Sequence, residues 1–286
     1  MTKKNSNGYT ASGGAKPKIA IGFFGITRSL KWTLNSIQNQ IFVPARKIGV
    51  VRVFAHLFDQ DRIINPRTGE NNIVDPNEYK LLNCDEIILE KAGDCLSQRN
   101  YNLILSHGDA FQDNGKSLAN LIHQLHSLEK VGSLISSWMP DVVIFVRPDL
   151  MYHDSFSELI LQHLSLSDHH ISIPGWQLSG GMNDRFAVCG PKSAEAYSKR
   201  INLMNAYMNK SNRPLHSERL LRYALNKYPA IPIMTKIRAS RIRSNGEVFS
   251  EDFGSISISK KIRWTFDLIK AKFQTDLMRL IARFYS

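Results

Sequence analysis

DVVIFVRPDLMYHD, residues Asp141 to Asp154, runs five consecutive apolar residues (Val142 to Val146) straight into an arginine, a proline and an acid. An apolar run of that length suits a strand covered on both faces. Pro148 has no N–H to give a central ladder, so the strand must end before it, at the rim of a sheet. In α/β sheets, ligands bind beyond the carboxyl ends of the strands. The stretch therefore places Arg147 and Asp149 at the mouth of a site. Asp149 is a candidate ligand for Mg²⁺ or Mn²⁺ on a diphosphate, since these hard cations take oxygen donors. Arg147 is a candidate partner for phosphate itself. The same three residues also fit an Arg–Asp pair that closes a turn.

Working outward, KIAIGFFGI (Lys18 to Ile26), GVVRVFAHLFD (Gly49 to Asp59) and DEIILE (Asp85 to Glu90) read as further strands. Leu30, Leu34, Ile37 and Ile41 step by three or four and predict a helix, with Thr27 or Ser29 able to cap its start. Ser117 to Trp138 predicts a second helix with a wide apolar face, ended by Pro140. QDRIINPRTGENNIVDPNEYK, punctuated by Pro66, Gly69 and Pro76, reads as a long loop. The order strand, helix, strand, strand, helix, strand predicts an α/β, Rossmann-like domain. Its central sheet should be mostly parallel, with helices on both faces. Short strands near Ile171 to Pro174 and Arg185 to Cys189, and helices near Lys192 to Met208 and Ser217 to Tyr228, follow.

The chain has 286 residues, 43% hydrophobic and 22% charged, a composition that supports a packed core. Lys and Arg number 37 against 25 Asp and Glu, a net charge of +12, which favours anionic partners. Three cysteines at irregular spacing give neither a disulfide framework nor a zinc pattern, and a reducing compartment follows. Residues 1–17 read as a flexible polar tail without signal-peptide character, 18–233 as the catalytic domain, and 234–286 as a basic extension. The last 28 residues carry seven Lys or Arg, two Asp and an apolar stripe from Ile262 to Phe284. Such a helix either lies on an anionic membrane surface or packs on the domain. No stretch is long enough to span a bilayer, so the expected place is cytoplasmic, with peripheral attachment at the inner face of the membrane.

Four further places carry candidate chemistry. GFFGITRS follows a strand and opens a helix, so backbone N–H groups from Gly25 to Thr27, with Arg28, could hold phosphate; an ordinary strand–helix turn fits as well. Asp59, just past the second strand, is placed to take a ribose hydroxyl or to sit in water with Asp61. In SGGMNDRFAVCG, the glycines allow a close backbone approach, Asn183 is a ligand contact or an Asx-turn residue, and Asp184 is a candidate general base. In PLHSERLL, Ser217 and Glu218 suit a helix start, Glu218 is the competing base, and His216 is a candidate metal ligand or phosphate contact.

Taken together, FFGITRSLKWT, RPDL, NDRFAV and HSERLL, in this order over Lys18 to Tyr228, resemble the GT-A class of nucleotide-sugar glycosyltransferases, more narrowly those that build polysaccharides or envelope glycans. The resemblance implies a nucleotide diphosphate sugar as co-substrate and a glycan or lipid-linked acceptor, with no nucleic-acid partner. It implies the base and ribose at Gly25, Thr27, Arg28 and Asp59, the diphosphate at Arg147 and Asp149, and the acceptor and base region at Asn183 and Asp184, with Glu218 as the competing base. The sequence departs from the family's D-x-D motif, where Arg147 replaces the first acid, so a metal-free mode stands beside Mg²⁺ or Mn²⁺. Two other classes fit parts of the sequence. A Rossmann-type S-adenosylmethionine-dependent methyltransferase would use the first loop and Asp59, but gives Arg147, Asp149, Asn183 and Asp184 no role. A basic, non-enzymatic membrane- or RNA-binding protein would rest on charge that lies mostly in the two ends.

Overall fold

The computed structural model describes residues 15–65 and 69–254. The basic helix read at Ile262 to Phe284, and most of the polar N-terminal tail, lie outside these described residues. The strand Lys18–Gly25 (β1) alternates its side chains between two buried faces. Ile19, Ile21 and Phe23 enter one core with helices Leu30–Ile37 (α1) and Val43–Ile48 (α2). Ala20 and Phe24 enter a second core with helix Lys116–Trp138 (α5). Gly22 lies on that second face, where a Cβ would stand 2.6 Å from Ile135 of α5. Helices on opposite faces require strands apolar on both sides, and the quoted sequence runs are of that kind.

Seven strands form the main sheet: β1, Val50–Asp59 (β2), Glu86–Lys91 (β5), Val142–Val146 (β6), His170–Pro174 (β8), Ala187–Cys189 (β9) and Ile231–Thr235 (β10). Their spatial order is β10-β8-β9-β6-β1-β2-β5, and all pairings are parallel except those of β9. The expected class, an α/β protein with a mostly parallel sheet and helices on both faces, is the class observed. The connection from β1 runs through α1 to β2 on one side, whereas β6 lies on the other side of β1. The carboxyl ends of β1 and β6 thus flank the point where the order reverses, where a crevice opens in such sheets.

Several elements differ from expectation. The stretch read as a long loop holds a hairpin, Arg62–Asn65 (β3) and Glu70–Ile73 (β4), and a 3₁₀ turn, Glu78–Leu82. Neither strand shows apolar alternation, so period gave no signal. Ser29 sits at the N-cap of α1, but its hydroxyl makes no cap bond. Glu78 reaches across from the 3₁₀ turn and accepts from Lys31 N at 2.9 Å instead. After β6 the chain re-enters extended structure at Leu150–Tyr152 (β7), paired with Ala239–Arg241 (β11). Strand β10 spans position 233, so the described fold continues through the expected domain boundary. No described helix is long and apolar enough to cross a membrane.

Helix Ser157–Ser165 (α6) covers the first face and buries His163, whose Nε2 meets Ser172 Oγ at 2.8 Å. Burial lowers the pKa of this imidazole to about 4 from 6.5. The unfolded chain therefore binds a proton that the folded chain refuses between these values, and stability falls as pH drops through the window. Urea unfolding at pH 7 and pH 4.5 should show a loss on the order of 2 kcal/mol from this residue. His163→Gln should flatten the dependence.

Candidate active site

Where β1 and β6 end, two arginines close on one acid. Arg147 donates to Asp149 twice, from Nε to Oδ1 at 2.9 Å and from Nη2 to Oδ2 at 2.7 Å. Arg28 donates from Nη2 to Oδ2 of the same carboxylate at 2.7 Å. Asp149 is 2% exposed. Burial alone would raise its pKa, but the charges and hydrogen bonds of Arg147 and Arg28 override this and hold the carboxyl well below the usual range. Burial likewise opposes the charge on Arg147, and Asp149 reverses the effect. The backbone is also fixed: Thr33 Oγ1 donates to Pro148 O at 2.6 Å and Ile242 N to Asp149 O at 2.9 Å.

This corrects the expectation that Asp149 faces an open crevice and carries a cation. One carboxylate already shared by two guanidinium groups does not fit a divalent metal, which needs several oxygen donors and no adjacent positive charge. The alternative reading of an Arg–Asp pair at a turn describes the geometry better, with Arg28 as a third member. Glu70 in β4 extends the cluster. It accepts from Arg28 Nη1 at 3.3 Å, Arg243 Nη1 at 3.1 Å, and Ser244 N and Oγ at 3.1 Å. Three arginines, Arg28, Arg147 and Arg243, face two carboxylates, Asp149 and Glu70, leaving one positive charge over among these described residues. A guanidinium has five N–H donors. Three of Arg147's are engaged, and Arg28 Nε is buried without a partner.

A second acid is wired to the first. Gln124, on α5, accepts from Arg147 Nη1 at 2.9 Å and donates through Nε2 to Asp184 Oδ2 at 3.1 Å. Arg200 Nη2 donates to the same Oδ2 at 3.1 Å, and Ser217 Oγ donates to it as well. Asp184 Oδ1 has no hydrogen-bond partner among the described residues. Arg200 is fully buried, stacks on Tyr197 at 4.4 Å and gives Nη1 to Tyr197 O at 2.8 Å. Ser217 thus opens helix Ser217–Lys227 (α9) without capping it, because its hydroxyl serves Asp184. Gln124 and Arg200 were not anticipated. Both lie on helices where a polar residue reads as solvent-facing.

The remaining candidates divide. Thr27, Arg28 and Asp59 do come together: with Phe58 and Tyr79 they line one cleft beyond β1 and β2, while Gly25, at the end of β1, is not part of that lining. Gly25 has φ +103, the left-handed region that favours glycine. Tyr79 comes from the stretch read as a loop, and was missed for that reason. Asn183 does not face the crevice. It is 2% exposed, donates to Trp176 O at 2.8 Å and accepts from Arg185 N at 3.1 Å, the Asx-turn role. Glu218, next to Ser217, stands 3.1 Å from His216 Nδ1, and His216 stacks on Phe111 at 5.8 Å.

The two glycines before Asn183 serve the protein rather than a ligand. Gly180 has φ +76, and a Cβ on Gly181 would lie 2.1 Å from the Glu218 carbonyl. Met182 N bonds that carbonyl at 2.9 Å, so the Asp184 loop is seated directly on the start of α9. Gly181→Ala must push the two backbones apart. A loss of about 3 kcal/mol is expected, at the upper end for overpacking, read as a shifted urea midpoint.

No family model matches the sequence, and no curated protein matches it. Among solved structures, the chain is similar to mouse xyloside xylosyltransferase 1 in its apo form, at 11% identity and TM-score 0.39, over 76% of this chain and 84% of that one. It is similar to the galactosyltransferase LgtC in complex with donor and acceptor sugar analogs, at 12% identity and TM-score 0.41, over 75% and 72%. It is also similar to the glycosyltransferase GlyE of Streptococcus pneumoniae TIGR4, at 11% identity and TM-score 0.40, over 77% of this chain and 46% of that one.

Proposed function

We propose that the chain is a GT-A-type glycosyltransferase that moves a sugar from a nucleotide diphosphate sugar to a hydroxyl of a glycan or lipid-linked acceptor. The observation that carries this reading is the excess positive charge at the ends of β1 and β6, joined through Gln124 to Asp184. The nucleoside would lie against Thr27, Asp59 and Tyr79, in a cleft of about 10 Å³ that must widen to admit it, with Asp59 on the ribose and the Tyr79 ring beside the base. The diphosphate would meet the unused N–H groups of Arg28 and Arg147. Breaking the sugar–phosphate bond puts negative charge on the departing diphosphate, and fixed cations in a site poor in water stabilise it strongly. Asp149 orients both guanidinium groups, so metal-free stabilisation is the mode proposed.

Asp184 is the proposed base. Its Oδ2 is held by three donors, while Oδ1 remains to accept the proton of the acceptor hydroxyl. A thermal-shift screen with UDP- and GDP-sugars, their diphosphates and S-adenosylmethionine, with and without Mn²⁺, tests this reading. Stabilisation by one nucleotide, independent of Mn²⁺ and lost in Arg28→Ala, is expected. Stabilisation by S-adenosylmethionine alone would overturn it.

A further inference from the structure

Away from the arginine crevice, three side chains with no part in the proposed transfer converge on one oxygen. His56 of β2 and His126 of α5 bring their Nε2 atoms to 3.0 Å and 2.9 Å from the same Oε2 of Glu90 in β5. The three potential ligand atoms all lie within 4.8 Å of one another. Both imidazoles are buried, and Glu90 is partly exposed.

The protons around His56 can be assigned from its neighbours. Ser127 Oγ donates to His56 O at 2.5 Å and accepts from Gly25 N at 2.8 Å. A hydroxyl has one proton, here given to a carbonyl that can only accept. His56 Nδ1, 3.2 Å from the same Oγ, must therefore carry a proton and donate. A neutral His56 then turns a bare Nε2 lone pair toward a carboxylate oxygen, a repulsive contact unless a cation lies between them.

We infer that His56 Nε2, His126 Nε2 and the Glu90 carboxylate form a site for a divalent cation of the zinc class, with the fourth position left to water. Two imidazoles and one carboxylate suit a borderline cation better than Mg²⁺ or Ca²⁺. The Ser127 hydroxyl on the far nitrogen fixes the His56 tautomer, the role that a carboxylate, carbonyl or water plays for metal-binding histidines. The two His–Glu90 separations need to open by only a few tenths of an ångström to reach the roughly 3.3 Å of a tetrahedral zinc site, and the His56–His126 separation, within 4.8 Å, must settle to the same value. On binding, the Nε2 proton that His126 gives to Glu90 moves to Nδ1. Arg99, 3.4 Å from that Nδ1, turns wholly to its partner Glu129. The cation would tie the edge strand β5 to β2 and α5. Through Ser127 and Gly25 it would also brace the end of β1.

The test uses the full chain, free of any polyhistidine tag and stripped with a chelator. Zinc titration by calorimetry should give one ion per chain. With Zn²⁺ about 100-fold above Kd, the melting temperature should rise by roughly 5–10 °C. Glu90→Gln, a near-isosteric change at a partly exposed position, should lose both effects while keeping its near-ultraviolet circular dichroism. Co²⁺ should give visible bands of a tetrahedral ion in the parent and none in the variant. Undiminished zinc binding by Glu90→Gln would overturn the proposal. So would stabilisation on acidification toward pH 5.5 with no response to zinc, because a proton would then occupy the gap. Nucleotide binding is read separately, so its failure and this one are distinguishable.

Discussion

Asp149→Ala is expected to lose about 3–5 kcal/mol of folding free energy. From sequence alone the same change would be expected to remove activity and spare the fold. The structure reverses that expectation, because the carboxylate is buried between Arg147 and Arg28. Removing it leaves two guanidinium groups in a site already one positive charge in excess. Breaking a buried pair from one side costs far more than the pair itself is worth, since the remaining charge stays desolvated. Urea unfolding reads the loss, and a change below about 1 kcal/mol would remove Asp149 from its central place. The pH dependence has a definite sign. Because the folded pKa is depressed, this stabilisation is complete above the ordinary carboxylate range and is lost as acid takes pH below it.

Asp184→Asn is expected to slow transfer by roughly 10²- to 10⁴-fold, the range for loss of a general base. Glu218→Gln should fall by less than about tenfold, because Glu218 leans on His216 and stands outside the Gln124 chain. Nucleotide affinity should hold in both variants, as neither side chain lies in the cleft of Thr27 and Asp59. Initial rates with the donor found in the thermal screen check the ranking, and equal losses would return Glu218 to the role. Asn retains an oxygen for Arg200 and Ser217, but the fully buried Arg200 loses its counter-charge. A melting curve of the variant must therefore accompany the rate.

Much of the architecture was legible because burial on both faces leaves an apolar run in the sequence. Val142 to Val146 and Lys18 to Ile26 are of this kind, and the apolar stripe of α5 is the helical counterpart on one face. What stayed hidden was short or polar. Strand β11 is Ala239–Arg241, three residues without alternation, and it exists because β7 offers it a partner 87 to 91 residues earlier. The site was legible in part. Pro148 marked the strand end, and Arg147 and Asp149 do flank it where β6 stops. The chemistry of the flank was not, because Asp149 looks like a metal ligand until Arg28, 121 residues away, is seen beside it. Arg200 and Gln124 sit among helical residues where sequence gives no hint of which polar side chain turns inward.

Gln124 is the piece that makes one site of two. Arg147 can only give hydrogen bonds and an ionised Asp184 can only receive them, so the amide can sit one way round. Position 124 is thus polarity-coded. Glutamate would satisfy the guanidinium but repel the acid, lysine would do the reverse, and leucine would sever the link. A single planar amide thus links the guanidinium of Arg147 to the carboxylate of Asp184, with no moving part between them.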